Sequence, residues 1–209
     1  MTDTIQPAKT AVVLVGYQND YFSPDGILYG FLEDREGVQK ALKNTIRLVD
    51  DLVDSGAMIV TTPIRFTKDY SELVNPTGIL QTIMDVGAFR EDSTGSQTIS
   101  ELDPYRNQIT NVPGKRGFDA FTGTDLEEIL RSRGVEHLYL AGAVTSICID
   151  STGRHAAELG FKVGVLSDCT SGRTRVEQDF YCEKIFPLYA SVITHEELLA
   201  SVCKLQERH

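Results

Sequence analysis

Runs of apolar, β-branched residues alternate along the chain with segments in which apolar residues recur every three or four positions. The run at 10–15 is apolar without interruption, which is typical of a strand buried on both faces of a parallel sheet. Between 37 and 55 the apolar residues have helical spacing, and Gly56 follows as a natural C-cap. The same patterns predict further strands at 57–62, 107–112, 137–142, 162–166 and 190–193, and helices at 123–133, 148–159, 174–186 and 195–204.

Strands that alternate with helices indicate an α/β fold. We expect one domain over residues 1–209, with a three-layer α/β/α arrangement around a doubly wound, mostly parallel sheet of about six strands. Thr124 and Glu127 have the spacing of a capping box at the start of the helix at 123–133. Residues 64–106 have weak periodicity, with short helices predicted around 72–84, and so long an excursion usually shapes a site or an oligomer interface.

Composition and charge narrow the class of partner. The chain has 209 residues, of which 20 are Lys or Arg and 30 are Asp or Glu, so its net charge is −10. This balance argues against nucleic acids and anionic membrane surfaces as partners. Neither a signal-peptide core nor an apolar run of ~18 residues is present, which favours a soluble, cytoplasmic protein. The four cysteines are widely spaced, without a CxxC pair, so neither a disulfide framework nor a zinc ribbon is indicated.

Cys148 is the first candidate for chemistry. It lies between an apolar run that predicts a strand and a run that predicts a helix, a layout that places a nucleophile at the end of a sheet. The partial positive charge of a helix N-terminus favours the thiolate over the thiol. Lys115 follows another predicted strand end, where it can lie near Cys148 and stabilise negative charge.

Three segments together resemble one family. Residues 13–22 resemble an apolar strand followed by D-x-Q-N-D-F, and residues 141–149 resemble G-x-x-T-x-x-C-V. Lys115, with Ala120-Phe121 and Thr124-Asp125-Leu126, resembles K-x-x-x-S-A-F followed by T-x-L. In order and spacing these motifs, covering about residues 10–195, are similar to those of the isochorismatase-like cysteine hydrolases, which include nicotinamidases, carbamoyl-amide hydrolases and true isochorismatases.

The resemblance implies a Cys–Lys–Asp site that acts on a small molecule and needs no cofactor. Cys148 would attack an amide or carbamoyl carbon and form a thioester, while Lys115 assists charge and proton flow. The oxyanion would lie on backbone N–H groups near Cys148, shaped by a cis peptide between Ala143 and Val144. The family also implies a homo-oligomer, for which 64–106 and 174–189 are candidate contacts.

The chain departs from the family at the acid, because Gly16 stands at that position and glycine cannot transfer a proton. Three accounts are open. An acid was replaced on purpose, or the protein is a naturally weak or inactive relative that binds a ligand, or another carboxylate or a water takes over. Asp20 is the nearest carboxylate in sequence, although an acceptor of backbone N–H bonds in the loop is its more ordinary role.

The histidines argue against a metal site. Nicotinamidase-type members carry an Asp-x-His pair and further histidines, whereas this chain has four histidines and none between 57 and 110. We therefore predict no metal and disfavour nicotinamidase. His155 is interpreted as a surface or interface residue, and His195 as a polar residue where a strand turns into a helix. A true isochorismatase protonates a vinyl ether and depends on its acid, so amide hydrolysis by the thiol fits the retained residues better.

Other side chains are candidates for binding. The aromatic residues Tyr17, Phe22, Phe118 and Phe121 lie in predicted site loops and are proposed to line the pocket. Arg65 and Arg116 are candidates for an anionic substrate group, with ordinary surface charge as the alternative.

Overall fold

The computed structural model describes residues 5–203, with Cys203 described by its backbone only, and strands alternate with helices along the chain. The strands are β1 Thr10–Val15, β2 Met58–Thr62, β3 Ile109–Asn111, β4 His137–Ala143, β5 Lys162–Ser171 and β6 Ser191–Ile193. The helices are α1 Asn19–Phe22, α2 Arg35–Leu52, α3 Gly78–Val86, α4 Leu126–Ser132, α5 Asp150–Glu158, α6 Arg175–Phe180 and α7 His195–Cys203. A π-helical turn, Thr145–Ile149, leads into α5, and a second, Tyr181–Ile185, follows α6.

All six strands are parallel and lie in the order β3-β2-β1-β4-β5-β6. The order runs outward from β1 in one direction and from β4 in the other, so the crevice between these two central strands is the switch point of the sheet. Residue Val15 of β1 is in register with Thr62 of β2 and Gly142 of β4. Three strand ends therefore meet at one place, where ligands bind in such folds.

Buried side chains form one hydrophobic cluster on each side of the sheet. In β1, Val12 and Leu14 belong to one cluster, and Val13 and Val15 to the other. Helix α2 packs its apolar face, which includes Leu48 and the other buried residues of that helix, on the first side. The predicted α/β sheet of about six strands with helices on both faces is thus confirmed.

Some boundaries differ from prediction. Strand β5 continues through the predicted stop at 167–168 to Ser171, with a register irregularity against β4. The predicted capping box at α4 is wrong. Asp125 is the N-cap there, and the Thr124 hydroxyl instead donates to the Ala120 carbonyl at 2.7 Å, which closes the preceding turn.

Helix ends also shift in the other segments. Helix α2 begins earlier than predicted because the Asp34 carboxylate accepts a hydrogen bond from Gly37 N at 3.0 Å. The helix predicted at 174–186 begins after Thr174, whose side chain caps it, but gives way to a π-helical turn after Phe180. None of the helices within residues 5–203 is long and apolar enough to cross a membrane.

Candidate active site

Cys148 lies in the π-helical turn that follows β4. The peptide between Ala143 and Val144 is cis, as the family resemblance implies, and the helical turn begins at Thr145 rather than at Cys148 itself. The side chain of Cys148 is buried at 8 % exposure. Just before this turn, a Cβ on Gly142 would lie 1.8 Å from the Val15 carbonyl oxygen, so only glycine lets β4 approach β1 this closely.

Lys115 reaches the same point from the loop after β3. Its backbone bridges to Ile64, which follows the end of β2. Its Nζ lies 3.6 Å from Cys148 Sγ and also donates a hydrogen bond to the Gly117 carbonyl. The residue is 1 % exposed, and no carboxylate in the described part of the chain forms an ion pair with it. The sulfur of Cys148 is therefore the side-chain atom that Lys115 Nζ contacts at this point.

Asp119 attaches the Lys115 loop to α5. Its carboxylate lies 2.7 Å from His155 Nδ1 and accepts hydrogen bonds from Thr122 and from Phe121 N. Burial by itself raises the pKa of Asp119, but these hydrogen bonds and the imidazole outweigh it and lower the pKa. The sequence interpretation of His155 as a surface residue missed this contact, because only the fold brings Asp119 next to it.

Gly16 continues β1 into the site with a left-handed backbone, at φ +76°. A Cβ at this position would lie 2.8 Å from the carbonyl oxygen of Ala143 and 3.7 Å from Cδ2 of Tyr21. Any L-residue here is strained by its backbone conformation and also meets the backbone of the cis peptide. Glycine is thus the residue that this backbone fits.

Asp20 does not point to Cys148. Its carboxylate is 1 % exposed and accepts hydrogen bonds from Phe89 N at 2.7 Å and Ile27 N at 3.3 Å. A Cβ on Gly95 would lie within 2.5 Å of this carboxylate, so the segment around Gly95 packs directly on it. The structure therefore places Asp20 in the loop-fixing role that the sequence analysis gave as its ordinary one.

Cys148 and Lys115 open into one narrow cavity, hereafter the Cys148 cavity. The cavity is tight, with a volume of about 10 Å³, which is close to the room that one water-sized group needs. Most of its lining is apolar, and part of that lining comes from α3, in the segment that sequence periodicity left poorly defined. It is lined by Val15, Gly16, Tyr21, Thr62, Ile64, Ile79, Leu80, Ile83, Lys115, Gly117, Phe118, Ala143, Ile147 and Cys148.

Of the four aromatic residues predicted to line a pocket, the structure places only Phe118 in the Cys148 cavity. The prediction is wrong for Tyr17 and Phe22, which stack at 4.8 Å in the core under α2. The Tyr17 hydroxyl is held there by Thr45 at 2.5 Å and by the Cys169 carbonyl at 3.0 Å.

Phe121 is also placed elsewhere. Its ring packs at 5.1 Å from that of His155 and at 6.2 Å from that of Phe161, in the cluster on the other side of the sheet. The two arginines lie outside the cavity as well. Arg65 donates to the Ser96 carbonyl at 3.3 Å, and Arg116 pairs with Glu72 at 3.3 Å.

A second polar cluster that sequence reasoning missed joins β5 to α7. Asp168 Oδ2 lies 2.6 Å from His195 Nδ1, and Oδ1 accepts from His195 N at 2.9 Å. Asn44 of α2 donates to the Asp168 carbonyl at 2.9 Å. The Cys169 thiol lies close enough that the three side chains resemble a metal-ligand set, with ligand atoms within 4.8 Å. Because the Asp168 carboxylate already bonds His195 at both oxygens and its carbonyl accepts from Asn44, we interpret the cluster as a hydrogen-bonded joint between β5, α7 and α2.

Cys182 lies away from the Cys148 cavity. Cys182 is half-buried, and burial raises the pKa of its thiol to about 11. The side chain of Cys203 lies outside the described part of the chain, as does His209.

Comparison with known proteins agrees with the fold and the motifs. The chain is 28% identical over 207 residues to the ureidoacrylate amidohydrolase of Agrobacterium fabrum, covering 90% of this chain and 89% of that protein. A cysteine hydrolase from Pseudomonas syringae pv. phaseolicola has the same fold, with a TM-score of 0.83, 21% identity and coverage of 96% and 95%. N-carbamoylsarcosine amidase from Thermoplasma acidophilum matches with a TM-score of 0.71, 22% identity and coverage of 90% and 97%.

The isochorismatase domain itself matches residues 10–197, which include β1 with Gly16, the Lys115 loop and the Cys148 turn. The chain belongs to the isochorismatase family of hydrolases.

Proposed function

We propose that this hydrolase cleaves a C–N bond in a small amide or carbamoyl compound, with Cys148 as its nucleophile. The observation that carries the proposal is the 3.6 Å contact between Lys115 Nζ and Cys148 Sγ, inside a cavity at the switch point of the sheet. The names of two similar proteins, a ureidoacrylate amidohydrolase and an N-carbamoylsarcosine amidase, support this bond type.

Attack by sulfur is the first step. The Lys115 ammonium favours negative charge on Cys148, and the sulfur forms a C–S bond to the carbonyl carbon while an electron pair moves onto oxygen. We assign this oxyanion to backbone N–H groups around the Ala143–Val144 peptide and Cys148. The N–H groups of Ile147 and Ile149 are not candidates, because both donate to the Val144 carbonyl.

Proton transfer follows from the same pair. When the C–N bond breaks, Lys115 donates a proton to the leaving nitrogen, and a thioester remains on Cys148. The neutral amine of Lys115 then accepts a proton from water, whose oxygen attacks the thioester carbon and releases Cys148 sulfur. One water is consumed, and the products are an acid, which is carboxylic from an amide or carbamic from a carbamoyl compound, and ammonia or an amine. These reaction steps need no carboxylate at position 16.

Two alternatives follow from Gly16. A vinyl-ether hydrolase whose acid has been mutated is disfavoured, since no carboxylate among the described residues lines the Cys148 cavity. A non-catalytic member that only binds a metabolite is favoured by one observation, which is that the left-handed backbone at Gly16 fits glycine rather than an acid.

Assembly into a homo-oligomer remains a prediction. It is supported by exposed apolar side chains in the two candidate segments, namely Val74 and Val86 in 64–106, and Val176, Phe180 and Leu188 in 174–189. Light scattering on the purified chain tests it, and a monomer at micromolar concentration contradicts it.

The decisive experiment measures ammonia release from primary amides and carbamoyl compounds. We expect turnover by the natural sequence and a loss of at least ~10³-fold in Cys148→Ala. Cys182→Ala is the matched control, because its thiol lies outside the cavity and its pKa is raised to about 11 by burial. Equal turnover by Cys148→Ala and the natural sequence excludes the mechanism, and binding of an amide without any turnover favours the metabolite-binding alternative.

A further inference from the structure

Thr62 places an unpartnered hydroxyl at the edge of the Cys148 cavity. The residue ends β2, is fully buried and lies in register with Val15, directly before Gly16. Its Oγ1 is one of two buried side-chain polar atoms without a hydrogen-bond partner among residues 5–203. The preceding residue, Thr61, instead bonds Asn111 Oδ1 at 3.3 Å. Unpartnered buried hydroxyls are uncommon, and one beside a cavity is positioned to bind a ligand.

Tyr21 contributes a second hydroxyl that no described residue bonds, although this oxygen is not fully buried as that of Thr62 is. It lines the cavity at 5 % exposure, and its ring lies where a side chain at position 16 would point. Its hydroxyl has no hydrogen bond within the described residues, whereas the similarly buried Tyr70 donates to the Ala88 carbonyl at 2.7 Å. Burial, and then the nearby Cys148 and Asp20, raise the pKa of Tyr21, so its phenol stays neutral and is available as a donor.

The rest of the lining offers little to a charged ligand. Ile79, Leu80 and Ile83 of α3 form an apolar wall. Lys115 is the one charged side chain among the described lining residues, and it already faces the Cys148 sulfur. A carboxylate on the substrate would lose its water here without gaining an unpaired cation.

We infer that the hydroxyls of Tyr21 and Thr62, rather than a carboxylate side chain of the protein, hydrogen-bond the polar group of the substrate. The Cys148 cavity thereby selects a small uncharged amide. This inference rests on the proposed function for the reaction at Cys148. Tyr21 and Thr62 are thus substrate-binding residues that sequence analysis did not single out, and they set specificity against carboxylate-bearing substrates.

Stability provides the first test, through Tyr21→Phe and Thr62→Val. Both substitutions remove a hydroxyl that none of the described residues bonds, so the melting temperature is expected to stay the same or rise. The matched controls Tyr70→Phe and Thr61→Val remove bonded hydroxyls and are expected to lower it. A fall in melting temperature for Tyr21→Phe and Thr62→Val as large as in their controls overturns the inference, because the hydroxyls would then hold the fold.

Alkylation of Cys148 provides the second test without requiring a known substrate. Iodoacetamide is an uncharged primary amide, and iodoacetate is a carboxylate of the same size. With either reagent the sulfur forms a C–S bond to the CH₂ carbon and iodide leaves. The rate at Cys148 is followed by peptide mass spectrometry and divided by the rate with free glutathione, with Cys148→Ala as the blank. Cys182 reacts slowly, since its pKa is raised to about 11.

We expect the normalised rate with iodoacetamide to exceed that with iodoacetate by about 10-fold or more. Each of Tyr21→Phe and Thr62→Val is expected to reduce the iodoacetamide rate by roughly 5- to 10-fold, as loss of one neutral hydrogen bond does. Thr61→Val leaves it unchanged. Equal normalised rates for the two reagents, or unchanged rates in both variants, overturn the inference. Failure of ammonia release with this selectivity intact refutes amide hydrolysis but not the binding site, so the two proposals fail separately.

Discussion

Replacement of Gly16 by alanine adds one methyl group where the backbone leaves no room for it. The backbone has φ +76°, a conformation that costs an L-residue about 1–2 kcal/mol relative to glycine. The added Cβ would also lie 2.8 Å from the Ala143 carbonyl oxygen, and this neighbour is backbone rather than a flexible side chain. Forcing an extra carbon into such a packed place costs about 1–3 kcal/mol more. We therefore expect Gly16→Ala to lower the free energy of unfolding by about 2–5 kcal/mol.

Urea denaturation of Gly16→Ala and of the matched control Gly123→Ala separates the conformational cost from the cost of the close contact. Gly123 has nearly the same backbone, at φ +73°, but a Cβ there would meet nothing within 4 Å. Its alanine variant is expected to lose only the conformational part, about 1–2 kcal/mol. The difference between the variants measures the contact with Ala143. If both variants lose the same free energy, the close contact does not exist in the folded protein.

Gly16→Asp extends the experiment to activity. If an acid had simply been deleted, restoring it would raise ammonia release by about 10²–10⁴-fold. We expect no such rise, because the same Cβ displaces the carbonyl of Ala143, whose peptide to Val144 leads into the Cys148 turn. A variant that is as stable as the natural protein and at least ~100-fold more active refutes this reasoning.

Three further outcomes are expected. Lys115→Met, which keeps the length of the side chain and removes its charge, is expected to reduce both amide turnover and alkylation of Cys148 by at least ~10²-fold, as steady-state and labelling rates will show. Hydrogen bonds from Thr122 and Phe121 N, and then the contact with His155, lower the pKa of Asp119 in the folded state, so its ionised carboxylate stabilises the protein above the ordinary aspartate pKa, and this contribution is lost as pH falls through the lowered value. Asp119→Asn should therefore flatten the acid limb of a plot of melting temperature against pH. Ile83→Ala, at 2 % exposure in the cavity wall, is expected to cost about 2–5 kcal/mol of stability and to shift turnover toward bulkier amides in a substrate panel.

The sheet was predictable because its central strands are continuous apolar runs. Residues 10–15 are wholly buried on both faces, so tertiary packing and local pattern agree, and β1 has the predicted bounds. At the edges the pattern is weaker. β3 is only Ile109–Asn111, and it is partly exposed. β5 extends to Ser171 because its last residues pair with β4 beyond a bulge, a tertiary interaction that the polar Ser167-Asp168 conceals in the sequence.

The contact between Cys148 and Lys115 was predictable, and the rest of the cavity was not. Cys148 and Lys115 follow strand ends in recognisable motifs, and parallel strands bring such ends together. Which loop aromatic enters the cavity depends instead on the direction of each side chain. Tyr17 turns away because Thr45 of α2 offers its hydroxyl a partner, while Tyr21, four residues on, turns toward Cys148. Neither direction is encoded in local spacing.

Gly16 shows how a motif and a backbone can give different interpretations of one residue. Against the family motif, glycine is a missing acid. In the structure, Gly16 and Gly142 both lie where the ends of β1 and β4 approach each other, and a side chain on either one would strike the backbone of the opposite strand end. The approach brings the two strand ends together beside Cys148 and leaves no room for a carboxylate side chain at position 16. In the proposed mechanism, proton transfer at this site therefore depends on Lys115, and in the inferred binding mode neutral hydroxyls hydrogen-bond the substrate.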